Sequence, residues 1–433
     1  MEGGRSRSAG RKDWRPHLGE NGQYSRHVLD NGLRVVSERI PRVESVSLGI
    51  WIETGVKQEE PGWEGTTHFI EHLLFKGTGR RSAREIAEAI DGVGGQLNGF
   101  TNREYTCFYA RVLADYLPLA MDVLADMVTN PTFDPDELQR EKQVVIEEIK
   151  RYEDDPEEWV HDLFAQTIWK GHPLGRSLLG REQVIREMDR DKAFAFFHRH
   201  YQPGNIIISA AGNVDHDWLA AESERIFGAR PGQAQPAPEA PARYQTARQV
   251  ISRSTEQVHF VLGTPGYSHT SEERYNLAVL DAVLGGGMSS RLFQEVRENR
   301  GLVYHIGSYA LAYRTSGLFA VSAGVSPDNL DEVLEIVRRE MASVRAQGIS
   351  EQECLRAKEQ LKGGMALALE NTGYRMRRNG TNEMYWGRAI PFEEVAARIN
   401  EVTPEQVHRV AQGVLDAEAV NYVAIGPFAG DKE

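Results

Sequence analysis

The stretch TTHFIEHLLFKGTG, residues 66–79, predicts an amphipathic helix that ends at a glycine. The stretch RYNLAVLDAVLGGG, residues 274–287, has the same form in the second half of the chain. Each is preceded by strand-like alternation and followed by a further strand pattern, which is YTCFYARV (105–112) in the first half and GLFAVSAGV (317–325) in the second. Two helical segments then follow in both halves. The chain therefore carries the same structural unit twice.

The two copies keep a nearly constant spacing, for example between Leu117 and Leu330, which indicates an internal duplication of a whole domain. Strands grouped with runs of helices predict an α+β fold, in which each domain is a mainly antiparallel sheet flanked by helices. A stretch rich in Pro, Ala and Gln predicts a linker that joins the two domains into a clamshell. The predicted division is a disordered basic tail at 1–23, an N-terminal domain at 24–228, the linker at 229–247 and a C-terminal domain at 248–433.

Composition limits the classes of function. The chain of 433 residues has a net charge of −13, which disfavours nucleic-acid binding because phosphate contacts need a basic surface. No apolar run reaches the ~18–20 residues that cross a bilayer, so no membrane association is expected. The two cysteines, Cys107 and Cys354, do not form a disulfide framework. These features predict a cytoplasmic location of bacterial type; the alternative is a mitochondrial matrix location, with the N-terminal tail as a poor transit peptide.

Two histidines and a glutamate in the first helix indicate a metal site. His68 and His72 are four residues apart and share one helix face, so both imidazoles can reach a single ion. Glu71 lies at the edge of this face, where it can accept a proton from a water on the metal. This H-x-x-E-H spacing is the inverted form of the H-E-x-x-H zinc motif and indicates metallopeptidase chemistry. The alternative is a chance cluster of polar residues on an ordinary helix.

A third ligand is expected from ELQREKQVVIEEIKRYED, residues 137–154. At about 100° per residue, Glu141 and Glu148 fall on one stripe with apolar residues, whereas Glu147 falls off that stripe and faces solvent. An inward-facing carboxylate favours a cation, so Glu148 is the predicted third ligand and Glu141 a supporting acid. The alternative is an ordinary helix with charges at its margin.

Further motifs follow in order over most of residues 25–425 and give the chain a family resemblance. They are GGQLNGFTNREYTCFYA (94–110), GHPLGRSLLG (171–180), HYQPGNIIISAAGNV (200–214) and LGGGMSSRLFQEVRENRGLVYHIGSY (284–309). Together with HFIEHLLFKGT, they resemble the pitrilysin/insulinase family of zinc peptidases. The likeness is to the branch similar to mitochondrial processing peptidase, which includes short two-domain bacterial chains that pair.

The resemblance implies a role for each residue of the metal motif. His68, His72 and Glu148 match the residues that bind one zinc ion per chain. Glu71 matches the general base that activates the zinc-bound water, and Glu141 matches an assisting acid. The N-terminal domain would therefore be the zinc-binding, catalytic one.

The resemblance also implies residues that bind the substrate. Asn98 matches a residue beside the edge strand on which peptides lie, although Gly99 stands where the family usually has alanine. Arg297 and Tyr304 match a pair that reaches the substrate and the tetrahedral intermediate. They share a helix face only if the helix continues through Gly301. The C-terminal domain lacks the metal motif and would complete the substrate chamber.

The expected activity is that of a zinc-dependent endopeptidase. It would hydrolyse peptides or short unfolded segments that bind as an added edge strand in a closed chamber. The acidic chain favours basic peptides as substrates. The resemblance implies a homodimer or a heterodimer with a homologous chain. The alternative is a catalytically weak or inactive member that keeps the fold as a scaffold or regulatory protein.

Overall fold

The computed structural model describes residues 23–232, 242–416 and 420–428. The strands of its first sheet are β1 Gln23–Val28, β2 Arg34–Arg39, β3 Ser45–Ile52, β4 Gln96–Thr101, β5 Thr106–Leu113 and β6 Ile206–Gly212. Their order across the sheet is β1-β2-β6-β3-β5-β4. Neighbouring strands are antiparallel except for β2 and β6, which are parallel.

The second sheet repeats this arrangement with five strands in the described ranges. Its strands are β7 Arg248–Ser252, β8 Val258–Pro265, β9 Val303–Ala312, β10 Gly317–Val325 and β11 Asn421–Gly426. Their order is β7-β11-β8-β10-β9, and only β7 and β11 are parallel. Within the described residues, this is the order of the first sheet without a counterpart of β1.

Helices surround both sheets, and several begin with side-chain caps. Ser82 and Glu85 form a capping box at the start of α2, as Ser350 and Glu353 do at α11. In the described residues the helices are α1 Thr66–Leu74, α2 Ala83–Asp91, α3 Leu117–Thr129, α4 Pro135–Glu153, α5 Pro156–Ile168, α6 Glu182–Glu187, α7 Arg190–His200, α8 His216–Phe227, α9 Glu273–Leu284, α10 Leu330–Gln347, α11 Glu351–Ala368, α12 Thr372–Trp386, α13 Phe392–Glu401 and α14 Pro404–Val414. A π-helical segment, Phe293–Glu298, precedes β9.

Each sheet is buried on both faces, which explains why its central strands are mostly apolar. In β6, Ile206 and Ile208 face the core shared with α1 and α3, whereas Ile207 faces the opposite core. Successive side chains of a strand point to opposite faces, so a strand that is covered on both sides buries nearly every side chain. The stretch NIIISAAG has this form because it is a central strand.

The second face of each sheet is covered by a helix from the other half of the chain. Helix α12 packs on β6 and β3 of the first sheet, where Met376 contacts the core around Trp51. Helix α5 packs on β11 and β8 of the second sheet, where Phe164 lies in the core beside Val261. The two halves therefore exchange equivalent helices and share their hydrophobic cores.

A buried glutamate also joins the two halves where two hairpin turns meet. Glu104, in the β4–β5 turn, accepts hydrogen bonds from the backbone N–H of Arg314 in the β9–β10 turn, at 3.1 and 3.0 Å. Its carboxylate also accepts a hydrogen bond from the Tyr385 hydroxyl at 2.6 Å and pairs with Lys57 at 2.7 Å. These contacts fix the end of β4 against the end of β9.

The α+β fold class is confirmed, with two mainly antiparallel sheets that are flanked by helices. Residues 1–22 of the predicted tail and 233–241 of the predicted linker lie outside the described residues, and β1 begins at Gln23. The exact domain division stays a prediction. None of the helices in the described ranges combines the length and apolar character needed to cross a membrane.

Candidate active site

Helix α1 holds two histidines close together on one face. The rings of His68 and His72 have centres 4.7 Å apart, while Phe69 packs into the core of the first sheet. The start of the helix is fixed by Glu59. Its buried carboxylate accepts hydrogen bonds from two backbone N–H groups at the helix start, at 2.9 and 2.8 Å. Burial raises the pKa of Glu59 to about 7, and these two hydrogen bonds oppose the rise.

Glu148 on α4 brings a carboxylate to the two histidines. Its Oε2 atom lies 3.3 Å from His72 Nε2 and 3.7 Å from His68 Nε2. All three ligand atoms lie within 4.8 Å of one another. Ligands at about 2.0–2.1 Å from a tetrahedral metal are roughly 3.3–3.4 Å apart, so the observed spacing suits a zinc ion. The neighbouring Glu147 is exposed to solvent.

The chemistry of these donors also fits zinc. Two imidazole nitrogens and one carboxylate oxygen form a ligand set of catalytic zinc sites, which keep a fourth position open. Burial lowers the pKa of His68 to about 4, so its imidazole is neutral, as a metal ligand must be. Burial also lowers the pKa of His72, but hydrogen bonds with Glu141 and Glu148 outweigh this effect and raise it to about 9. A bound cation would displace that proton.

Glu141 supports His72 from the other side of its ring. The Oε2 atom of this buried carboxylate lies 3.2 Å from His72 Nδ1, and its Oε1 atom pairs with Lys76 Nζ at 2.8 Å. A hydrogen bond at Nδ1 keeps the proton on that nitrogen and leaves Nε2 free to face the metal. Glu141 therefore lies where a supporting acid was predicted.

Glu71 faces the edge strand β4. Its Oε2 atom accepts a 2.6 Å hydrogen bond from the Thr101 hydroxyl. Burial raises the pKa of Glu71, and the hydrogen bond from Thr101 opposes this rise. A Cβ atom at Gly99 would lie 3.2 Å from Glu71 Oε1, so the glycine leaves room beside the carboxylate. A largely buried carboxylate with a raised pKa suits proton transfer.

The outer edge of β4 is open. Within the described residues β4 pairs only with β5, and it forms one margin of the first sheet. Asn98 is exposed on this strand, and its side-chain oxygen accepts a hydrogen bond from the backbone N–H of Gly99 at 2.8 Å. An exposed strand of this kind can pair with an extended peptide.

Arg297 and Tyr304 contact each other but lie apart from the histidine cluster. The Arg297 guanidinium lies over the Tyr304 ring, 5.2 Å from its centre, and over the Phe293 ring at 4.7 Å. The helix does not continue between them: the π-helical segment ends at Glu298, and Gly301 turns the chain with a φ of +65°. No hydrogen bond, ion pair or ring contact among the described residues joins this pair to the cluster.

Three residues around the site were missed in the sequence. Lys76 lies four residues after His72, and this spacing was an available signal. Thr101 and Glu59 gave none, because their roles depend on how a strand and a loop pack against α1.

Comparisons with known proteins agree with the resemblance. Residues 34–182 match the family described as insulinase (peptidase family M16), and residues 187–361 match the peptidase M16 inactive domain. An uncharacterized zinc protease of Streptomyces coelicolor is 45% identical over 415 residues, which cover 94% of this chain and 90% of the relative. The uncharacterized zinc protease YmxG of Bacillus subtilis is 41% identical over 387 residues, covering 89% and 94%.

Solved structures share the fold. A crystal structure described as a peptidase M16 inactive domain from Pseudomonas fluorescens superposes with a TM-score of 0.86 at 21% identity, covering 95% of this chain and 99% of that one. A protease from Helicobacter pylori superposes with a TM-score of 0.87 at 20% identity, covering 93% and 99%. At this level of identity, the likeness concerns the fold alone.

Proposed function

This chain belongs to the insulinase (M16) family of peptidases and takes zinc as its cofactor, and from this premise we propose that it is an endopeptidase that cleaves extended peptides. The observation that carries the proposal is the convergence of His68, His72 and Glu148, with Glu71 beside them. A scaffold protein has no need to keep three ligands at zinc spacing together with a neighbouring carboxylate of raised pKa.

In this proposal the chain's own residues divide the chemistry. His68, His72 and Glu148 would hold zinc, and the ion would act there as a Lewis acid toward water and the peptide carbonyl. Glu71 accepts the proton of the attacking water and returns it to the leaving amine. Thr101 orients Glu71 through the 2.6 Å hydrogen bond.

The substrate would lie along β4 as an added strand. Backbone hydrogen bonds to an open edge hold a peptide with little dependence on its sequence, and they require an extended chain. Asn98 and Gly99 lie on this strand, and the space beside Gly99 borders Glu71. A peptide on β4 would therefore pass in front of the catalytic carboxylate.

The distance between Tyr304 and the end of β4 favours an active site that is completed by a second chain. Thr101 ends β4 beside the junction of the two hairpin turns, and Tyr313 follows β9 at the same junction. Tyr304 precedes Tyr313 by nine residues of extended strand, or about 30 Å. Arg297 contacts Tyr304 and therefore lies equally far from the cluster. We propose that this pair donates hydrogen bonds to the oxyanion of the tetrahedral intermediate in the active site of a partner chain.

We also propose a preference for basic peptides. It rests on the net charge of −13, which attracts cations over long distances. A cavity of about 450 Å³ near the C-terminal end of α4 is lined by residues of both charges, including Glu64, Glu153 and Arg181. A preference that comes from the overall field weakens as salt is added.

The experiment compares the wild-type chain with Glu71→Gln on a quenched peptide library, with zinc measured in both proteins. The variant should keep its zinc and lose nearly all turnover. Undiminished turnover in zinc-loaded Glu71→Gln would exclude the proposed base. A zinc-loaded wild-type protein that cleaves no peptide would instead support the scaffold alternative. Cleavage of cationic and neutral peptides at low and high salt tests the charge preference.

The partner arrangement has its own test, in which two inactive variants are mixed. Glu71→Gln and Tyr304→Phe should each lose activity as pure proteins. After unfolding, mixing and refolding together, a homodimer that shares sites should recover about one quarter of the wild-type sites. No recovery in dimers shown to contain both variants would exclude sharing between two copies of this chain.

A further inference from the structure

The second half of the chain carries a groove that lies apart from the metal cluster. Its volume is about 880 Å³, and it lies between the C-terminal parts of α10 and α14 and the sheet edge formed by β7 and β11. The floor is apolar and is formed by the side chains of Leu262, Met341, Leu415 and Tyr422. This volume is within the range of small-molecule sites, about 300–1,000 Å³.

The first half closes the equivalent position with its own chain. There the β1–β2 hairpin packs against the end of α8, with Leu29 and Leu33 buried. The Asn31 side chain fastens this hairpin by donating hydrogen bonds to the carbonyls of Phe227 and Arg230, at 2.8 and 3.2 Å. The second sheet has no counterpart of β1 in the described residues, and no described segment covers its groove in the equivalent way.

At one equivalent position of the two sheets, the first half has a buried apolar residue and the second half has an exposed charged one. In the first sheet, Val35 pairs with Ile208 of β6 and is fully buried. The equivalent pair in the second sheet is Arg248 with Tyr422 of β11, and Arg248 is exposed. A core valine in one half thus corresponds to an arginine at the groove in the other.

Three arginines line this groove, and two of them form no ion pair with a carboxylate in the part of the chain that the structure describes. Arg345 pairs with Asp416 at 3.1 Å. Arg248 lies over the ring of Tyr422, with its guanidinium 5.4 Å from the ring centre. Among the described residues, no carboxylate forms an ion pair with Arg248 or Arg338. In a chain of net charge −13, Arg248 and Arg338 thus place two positive charges beside the apolar floor.

We propose that this groove binds an amphipathic anion, namely a long-chain carboxylate. The apolar chain would lie on the floor between α10 and α14, where its burial stabilises the complex. The carboxylate would accept hydrogen bonds from Arg248 and Arg338, since a guanidinium presents two parallel N–H donors to a carboxylate. The site is independent of peptide hydrolysis, because the metal cluster lies on α1 and α4 of the other half.

Calorimetric titration with dodecanoate tests the charged end of this site. The double variant Arg248→Gln/Arg338→Gln should bind dodecanoate at least tenfold more weakly than the wild-type chain, with dodecanol binding unchanged. Arg339→Gln is the matched control, because Arg339 is the next residue on α10 and does not line the groove. An unchanged dodecanoate affinity in the double variant, or an equal loss in the control, overturns the proposal.

A second variant tests the apolar end. Ala346 is an exposed residue of α10 at the groove, and Ala346→Trp should fill it. This variant should lose binding of both dodecanoate and dodecanol while its unfolding temperature and peptide turnover stay at wild-type values. Wild-type protein that binds no dodecanoate overturns the proposal. Inorganic phosphate that competes as strongly as dodecanoate overturns its apolar part.

Discussion

The hydrogen bond between Thr101 and Glu71 gives the sharpest test of the site. Thr101→Val keeps the size and branching of the side chain but removes the hydroxyl that donates to Glu71 Oε2 at 2.6 Å. The nearby Thr106 hydroxyl keeps its own acceptor, the carbonyl of Thr54 at 3.0 Å. The substitution therefore acts on the Glu71 carboxylate and leaves no other buried polar group unpaired.

The size of the effect follows from the type of bond. A hydrogen bond to a charged group contributes roughly 1.5–3 kcal/mol. At about 1.4 kcal/mol for each factor of ten, its loss predicts a decrease in kcat of about 10- to 100-fold. KM should change little, because Thr101 orients the base and does not hold the peptide.

The assay is steady-state hydrolysis of a quenched peptide by zinc-loaded protein, with zinc content and unfolding temperature measured in parallel. Thr101→Ser is the matched control, since it keeps a hydroxyl on the same strand position, and it should stay within a few-fold of wild type. A Thr101→Val enzyme with unchanged kcat would show that Glu71 needs no support from β4. An equal loss in the serine variant would show that the methyl group, not the hydroxyl, is what matters.

Three further predictions concern the metal and the exchanged helices. Glu141→Gln should weaken zinc affinity by about 10- to 100-fold, because it removes the anionic partner of His72 Nδ1, and competition with a chromogenic chelator measures this. Gly380→Ala on α12 should destabilise the chain by about 1–3 kcal/mol, because its Cβ would lie 2.5 Å from the Trp51 ring. Its control is Gly363→Ala, which meets nothing within 4 Å and should leave stability equal or higher in denaturant unfolding. Removal of zinc with a chelator should abolish peptide hydrolysis without unfolding the protein, and added zinc should restore it; persistent activity in metal-free protein would contradict this.

The parts of the site that follow from local spacing could be predicted from the sequence. Helical geometry places His68 and His72 on one face and separates Glu148 from Glu147 on α4. The duplication of the sheet was also visible, because strand and helix patterns recur in the same order in both halves. Each of these inferences needs only the spacing of residues within a single helix or strand.

The remaining features depend on contacts between distant segments. No pattern in α5 or α12 shows that each covers the sheet of the other half, because an apolar face does not identify its partner. The seven-residue spacing of Arg297 and Tyr304 left open whether they meet, since they share a helix face only if the helix continues through Gly301. The structure brings them together through a turn at Gly301 instead.

Comparison of the two halves of the chain shows which contacts belong to the shared fold and which residues belong to the metal site. There Asp281 on α9 accepts a 2.5 Å hydrogen bond from the Ser308 hydroxyl on β9. This contact also joins a helix to the edge strand, as the bond between Glu71 on α1 and Thr101 on β4 does, but Ser308 lies four residues further from its hairpin turn than Thr101 does. Burial raises the pKa of Asp281 to about 6, yet α9 has no histidines to hold a metal beside it. An acid that joins the helix to the edge strand is therefore common to both halves, and the two histidines with Glu148 are what distinguish the first.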